Sequence, residues 1–191
     1  MKPLAVVLGN NSEQGNTKIR RLASAELPTR EGERPKTIIG PLHVQCNGHG
    51  DRRYLDQLLN DVLSWRYIEP VSTATNHLDT VPIRLQELAA TDDSAAFIND
   101  TEFARVLLAS PTIIVALPLV RAHWAIVKGW AEPHYLQSFG LMPAGTVIVY
   151  TPRNREELEV CYSLLFESYY FACKFAGENP FDQFISNGAR S

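Results

Sequence analysis

Polar side chains in two regions of this sequence have residue types and a spacing that could carry chemistry. Glu102 and Arg105 lie three residues apart in a stretch with the composition of a β-strand, and His134 follows a Gly-Trp pair at the end of a predicted helix. A guanidinium cannot act as a base, but its N–H donors can hold a carboxylate or polarise a carbonyl group. An imidazole can act as acid, base or hydrogen-bond donor near neutral pH. Residues three apart on a regular strand point to opposite faces, so no direct pair between Glu102 and Arg105 is predicted.

A third cluster has residue types that bind metals. His43, Cys46 and His49 lie close together in the sequence, but no fourth ligand is in view and a helix is predicted from Asp51. A structural zinc site needs four ligands, so no metal is predicted. Residues 6–17 (VVLGNNSEQGNT) resemble the strand and phosphate loop of flavodoxin-like reductases, in which backbone amides hold a phosphate. The rest of the chain does not alternate strands and helices as that fold requires, so no cofactor is predicted.

The overall composition is that of an ordinary globular protein. The chain has 191 residues, 45% of them hydrophobic and 20% charged, with a net charge of −3. This length favours one domain, and the charge gives no basic surface for nucleic acid or an anionic membrane. Three cysteines without a short repeat spacing do not form a disulfide framework and favour a reducing, cytoplasmic setting. The apolar run at residues 4–8 is too short for a signal peptide or a membrane span.

Hydrophobic periodicity predicts the strands that would position these residues. Candidate strands occupy residues 37–46 (interrupted at Gly40-Pro41), 67–72, 81–88, 102–108, 112–117 and 146–150. The strands over 102–108 and 112–117 are expected to meet at a turn at Ser110-Pro111, and residues 91–100 to form a loop. In the strand over 81–88, the side chains expected on one side are Ile83, Leu85 and Glu87.

Three helices are predicted in the same domain. Residues 51–65 have apolar side chains on one face and Asp51 as a possible N-cap. Residues 120–128 place Val120, Trp124 and Val127 on one face and can end at Gly129.

The last helix is the clearest element. It begins at Asn154, with Glu157 three residues on as in a capping box. The side chains expected to face the core are Leu158, Cys161, Leu165 and Ala172. Because several strands separate the helices, the sequence predicts an α+β domain with a mainly antiparallel sheet packed against helices and a long C-terminal helix.

Three segments, in the same order and at similar spacing, resemble the fungal luciferase family, named for an enzyme that oxidises 3-hydroxyhispidin and emits light. They are residues 27–35 (LPTREGERP, family pattern LPxREGxRP), 128–134 (KGWAEPH, family pattern KGWxxxH) and 150–157 (YTPRNREE, family pattern YxPRNxEE). The resemblance implies a luciferase-like domain over residues 27–176. Residues 1–26 would then form a mostly irregular arm with a short helix at 18–25, and residues 177–191 a C-terminal tail.

The chain departs from the family pattern where the chemistry is expected. Family members usually carry E-[FI]-[AG]-H-x-H, but residues 102–107 read EFARVL, so Arg105 and Leu107 replace the two histidines. Light-emitting members begin with a membrane anchor, and we expect none here. The resemblance therefore implies a retained scaffold and pocket with altered chemistry.

The resemblance and the residue types together give the candidate site. Catalytic roles are predicted for Arg105, His134 and Tyr150. Substrate-binding roles are predicted for Glu102, Trp130, Arg153 and His43. Each has a structural alternative: His134 could bond to backbone, Arg105 could lie on the solvent face of an edge strand, and the two aromatic residues could belong to the core. The motif residues Arg30, Glu31, Arg34 and Arg153 suit structural roles, pinning the arm and capping the last helix.

Three functions remain open at the level of sequence. The first is a cofactor-independent enzyme of fungal-type secondary metabolism that cyclises or isomerises a small apolar substrate, for example by a [4+2] pericyclic step. The second, implied by the resemblance, is a cofactor-free oxygenase acting on a hydroxypyrone or similar polyketide. The third is a non-catalytic module that binds a small molecule.

Overall fold

In the part of the chain that the structure describes, the strands form one five-stranded antiparallel sheet and a separate two-stranded hairpin. The computed structural model describes residues 27–40, 42–70 and 79–175. The hairpin consists of β1 (Thr37–Ile38) and β2 (Val44–Gln45). The large sheet has the order β3-β4-β5-β7-β6. Its strands are β3 (Thr80–Arg84), β4 (Glu102–Leu107), β5 (Thr112–Ala116), β6 (Ala131–Pro133) and β7 (Thr146–Val149).

Within the described residues, three α-helices complete this α+β fold, as predicted. They are α1 (Arg52–Leu63), α2 (Leu119–Val127) and α3 (Arg155–Ala172). The side chain of Asp51 caps α1 by accepting from the Arg53 amide, and that of Asn154 caps α3 by accepting from the Glu157 amide. Both predicted N-caps are therefore confirmed.

One face of the large sheet packs on helices and forms the main core. Apolar side chains that alternate along the central strands meet α1 and α3 there. Those predicted to face the core from α3 are buried: Leu158, Cys161, Leu165 and Ala172. The opposite face carries the polar residues, and the β1–β2 hairpin lies over it, with Val44 packed on a small cluster of Leu107, Ile114 and Ile148.

A β-bulge in β4 corrects the prediction that Glu102 and Arg105 point to opposite faces. Ile83 pairs with Ala104, but the next residue, Arg84, pairs with Glu102, so Phe103 is an extra residue in β4. The extra residue shifts the side-chain alternation by one position. As a result, Glu102 and Arg105 lie on the same face and form a direct ion pair.

Two further strand predictions are modified by the structure. The strand predicted at 67–72 is absent over residues 67–70, where Ile68 makes only an isolated bridge to Leu85. The strand predicted at 81–88 ends at Arg84, so Glu87 lies in a short 3₁₀ helix (Glu87–Ala89) and is exposed, unlike Ile83 and Leu85.

The face of α2 that holds Val120, Trp124 and Val127 is exposed rather than packed on the sheet. The side chains of α2 that are buried against the domain are Ala122 and Ala125. Several predicted segments lie outside the described residues. They are the N-terminal arm with its helix and its resemblance to a phosphate loop, the end of the strand predicted at 67–72, and the C-terminal tail.

A close backbone approach at Gly145 gives the first prediction. A Cβ atom at this position would lie 1.9 Å from the carbonyl oxygen of Leu117, whereas at Gly40 the nearest atom would be 3.7 Å away. Gly145→Ala should therefore lower the free energy of unfolding by about 1–3 kcal/mol through overpacking, and Gly40→Ala should leave it within about 0.5 kcal/mol. Urea denaturation of the two variants measures the difference, and equal midpoints would contradict the prediction.

Candidate functional site

The polar side chains of the candidate site lie on the face of the large sheet that the hairpin covers. They belong to rows of paired residues that cross the strands. Antiparallel pairing aligns Arg105 with Ile114, Ile114 with Ile148, and Ile148 with Glu132. The backbone amide of His134 donates to the carbonyl oxygen of Thr146, so His134 lies at the end of the next row. Two apolar residues thus form a floor, with Arg105 at one side and Glu132 and His134 at the other.

Glu132 is the centre of a hydrogen-bonded network that ties the hairpin to the sheet. Its Oε1 accepts from the hydroxyl of Thr37 and lies 2.8 Å from Nε2 of His43. Its Oε2 accepts from the hydroxyl of Tyr150 at 3.0 Å. Burial and the negative charge of Glu132 raise the pKa of Tyr150 to about 12, so this phenol stays protonated and acts as a donor.

His43 and His134 form a pair of imidazoles with their ring centroids 5.3 Å apart. Nδ1 of His43 accepts from the Tyr135 amide at 3.4 Å, and Nδ1 of His134 accepts from the Leu136 amide at 3.3 Å. A ring nitrogen that accepts from a backbone amide carries no proton, so in the neutral ring the proton lies on Nε2. Both histidines therefore present Nε2–H donors.

The surroundings of His134 strongly favour its neutral form. The residue is only 4% exposed. Burial lowers its pKa to about 4, and the nearby His43 and the positive charge of Arg105 act in the same direction. Burial also lowers the pKa of His43, although Glu132 opposes the shift. Near pH 7 the pair consists of two neutral hydrogen-bond donors.

Glu102 orients Arg105 through two hydrogen bonds. Nε of Arg105 donates to Oε1 of Glu102 at 2.5 Å and an Nη donates to Oε2 at 2.9 Å. Arg84 lies 3.5 Å from the same carboxylate, which is fully buried. The hydrogen bond to Glu102 raises the pKa of Arg105, whose remaining N–H groups can donate to another group.

A cleft of about 500 Å³ opens at the edge of the sheet where β4 and β7 begin. Six of its lining residues have apolar side chains (Ala95, Phe97, Leu141, Met142, Pro143 and Ala144), and the others are Ser94, Asp100 and Gly140. The carbonyl oxygen of Pro143 accepts from the Thr146 amide, and Thr146 is bonded in turn to His134. Pro143 thus links the cleft to Thr146, the neighbour of His134, but neither His134 nor Arg105 is among the residues that line the cleft. The buried hydroxyl of Thr146 has no hydrogen-bond partner within the described parts of the chain.

Trp130 and Arg153, two of the predicted substrate-binding residues, lie in a second polar cluster centred on Glu157. Arg30 and Arg153 both form ion pairs with this buried carboxylate. The guanidinium of Arg30 lies 5.9 Å from the centre of the Trp130 ring, and Nε1 of Trp130 donates to the carbonyl oxygen of Pro28. These contacts tie residues 28–30 to the start of α3, and substrate binding by Trp130 and Arg153 remains a prediction.

The three residues considered as metal ligands make other contacts. His43 binds Glu132, His49 contacts the hydroxyl of Thr151, and Cys46 is an exposed free cysteine. Over residues 27–40, 42–70 and 79–175, no three His, Cys, Asp or Glu side chains are grouped so that they could hold a metal ion. In the same residues, no helix is both long and apolar enough to span a bilayer.

The structure thus brings five of the seven predicted site residues to one face of the sheet: Arg105, His134, Tyr150, Glu102 and His43. Sequence reasoning missed Glu132, which three of the network's side chains bind. The sequence does contain a signal for Glu132. This residue lies two positions before His134 in a segment that could be extended, and residues two apart on a strand point to the same face.

Comparison with known families gives one match. Residues 103–168 match the family model of the Luciferase domain, which confirms the luciferase-like resemblance over that segment, about a third of the chain. The matched segment contains Arg105, Glu132, His134 and Tyr150. Searches of curated proteins and of solved structures give no match.

Proposed function

We propose that this protein is a cofactor-independent enzyme that cyclises or isomerises a small, largely apolar substrate in the cytoplasm, with a [4+2] cyclisation as one concrete reaction. The observation that carries the proposal is the neutral His134 on the opposite side of the apolar floor from Arg105, in a row that Pro143 links to the cleft. Cyclisation and isomerisation neither add nor remove atoms. They therefore need a shaped cavity and well-placed hydrogen-bond donors rather than a redox partner.

The hydrogen bonds of the two imidazoles favour a role as hydrogen-bond donors over a role as bases. Because backbone amides occupy Nδ1 of both His43 and His134, neither ring offers a free lone pair. The Nε2–H of His134 can instead donate to a substrate carbonyl oxygen, and Arg105 can donate from the N–H groups that Glu102 leaves free. Both stabilise negative charge that develops on that oxygen as the carbon skeleton rearranges.

The remaining polar residues act as positioning residues in this mechanism. Glu102 holds the guanidinium of Arg105, and Glu132 fixes the ring of His43 against that of His134. The hydroxyl of Tyr150 donates to Glu132, so Tyr150 acts through the network rather than directly on substrate. The cleft, with the side chains of Phe97, Leu141 and Met142, would hold the apolar body of the substrate.

The mass of the product separates this function from its alternatives. Purified protein would be incubated with a panel of conjugated polyenones and hydroxypyrones, and products analysed by liquid chromatography and mass spectrometry with an oxygen electrode in parallel. The proposal expects a product of unchanged mass and no oxygen uptake. A heavier, oxygenated product with oxygen uptake would overturn it in favour of an oxygenase. Ligand binding seen by thermal shift without any turnover would overturn it in favour of a binding module.

Matched variants test the assigned roles once a reaction is found. His134→Gln and Arg105→Met should each lower kcat by about 10²–10³, the usual cost of removing one charge-stabilising donor. Their controls are His123→Gln on α2 and Arg53→Met on α1, both of which replace exposed side chains. If both site variants keep full activity, the assigned roles are wrong.

A cofactor-free oxygenase is the second candidate, and the match to the Luciferase domain favours it. Such an enzyme must first remove a proton from a hydroxypyrone. The Glu132 carboxylate is the side chain placed to take it, with an exposed side-chain fraction of 24%. Glu132→Gln would then abolish oxygen uptake, whereas in the cyclase it would only weaken the positioning of His43.

A further inference from the structure

Four large apolar side chains of helix α2 point away from the domain. Leu119, Val120, Trp124 and Val127 are between 42% and 69% exposed, while the residues buried against the sheet are alanines. At 100° per residue these four side chains lie within one continuous stripe along the helix. We call this stripe the α2 face. A stripe of this kind on a single short helix is typical of a surface that another segment covers.

The first described residues, from Leu27 on, lie directly beside this helix. The carbonyl oxygen of Pro28 accepts from Nε1 of Trp130, and the amide of Arg30 donates to the carbonyl oxygen of Lys128, just after α2 ends. The last described residues lie at the other edge of the sheet. The amide of Lys174 donates to Ala89, close to β3, whereas α2 packs on β6 and β7 at the opposite edge.

We propose that residues 4–8 (LAVVL) of this chain pack on the α2 face. This run is uncharged and wholly apolar, which suits a stripe of Leu, Val and Trp side chains. Residues 9–26 separate it from Leu27 and can span up to about 60 Å when extended. The helix α2, with nine residues, is only about 14 Å long. A segment tethered at this range has an effective concentration on the order of millimolar, so even a weak apolar contact is populated.

Trp124 provides an intrinsic probe of this contact. The chain has three tryptophans, and the other two, Trp65 and Trp130, are each 4% exposed in the core. Acrylamide quenching of the full chain therefore reports mainly on Trp124, and subtraction of the Trp124→Phe spectrum isolates its signal. We expect Trp124 to be shielded in the full chain. The double variant Val6→Asp/Val7→Asp should raise its quenching constant two- to three-fold, with an unchanged circular dichroism spectrum.

The matched control adds the same two charges outside the apolar run. Asn10→Asp/Asn11→Asp should leave the quenching constant at the value of the unaltered chain. Four results would overturn the proposal. The first two are free quenching of Trp124 in the unaltered chain and equal effects of the two double variants. The third is exposure of Trp124 by Phe181→Asp/Phe184→Asp rather than by Val6→Asp/Val7→Asp, and the fourth is shielding of Trp124 that weakens when the protein is diluted. The third result would assign the α2 face to the C-terminal residues and the fourth to a second copy of the chain.

Discussion

Replacing Glu157 with glutamine is expected to lower the free energy of unfolding by about 3–5 kcal/mol, the usual cost of breaking a buried ion pair. The carboxylate lies between Arg30 and Arg153, and the side chain of Arg30 is only 2% exposed. Burial alone would raise the pKa of Glu157, but hydrogen bonds from Arg153 and the charge of Arg30 lower it overall. The ionised form is thus the native one, and the amide leaves the buried guanidinium of Arg30 without its counter-charge.

An exposed ion pair of the same chain provides the control. Arg52 and Asp56 are paired one turn apart on α1 with about half of each side chain exposed. Asp56→Asn should cost less than about 1 kcal/mol, because water already solvates both charges. Urea denaturation of both variants at pH 7 measures the contrast. A cost for Glu157→Gln no larger than that for Asp56→Asn would show that the cluster does not hold residues 28–30 to α3.

Local sequence patterns predicted the elements of this fold well. The caps at Asp51 and Asn154 are set by side chains that bond to amides two or three residues away, and the sequence contains all of that information. The β4–β5 hairpin follows in the same way from the turn at Ser110-Pro111 and the apolar strands beside it. The antiparallel α+β class then follows from the order of the elements.

The parts of the site that escaped prediction depend on distant contacts. The pair between Glu102 and Arg105 needs the bulge at Phe103, which arises only when β4 pairs with β3. Strand periodicity alone gives the opposite answer, because a single extra residue reverses every side chain that follows it.

The meeting of His43 with Glu132 is also a long-range event. It requires the hairpin to lie on the sheet, where the side chain of Gln45 accepts from the Thr151 amide and the Gln45 amide donates to Thr112. No local pattern around residue 43 specifies those partners. Once the hairpin is in place, His43 brings a second imidazole beside His134, although the sequence has Arg105 and Leu107 in place of the two histidines of the family pattern.

The stability of the protein should fall as the pH drops from about 6.5 to about 4, and His134 should account for much of the loss. In the unfolded chain this histidine binds a proton near pH 6.5, but in the native structure its pKa is lowered to about 4. Between these values the unfolded state holds one more proton than the native state. Lower pH therefore favours unfolding, and the full contribution of His134 is about 3 kcal/mol.

The variant His134→Gln isolates this contribution. Glutamine keeps a side-chain acceptor for the Leu136 amide but does not titrate, so its free energy of unfolding should fall less steeply between pH 7 and pH 4.5 than that of the unaltered chain. The exposed His123 provides the control, because His123→Gln should retain the full pH dependence. Identical pH profiles for His134→Gln and the unaltered protein would mean that His134 is not held neutral. In that case an imidazolium at His134 would be repelled by the charge of Arg105, and the pair of neutral donors on which the proposed cyclase depends would not exist.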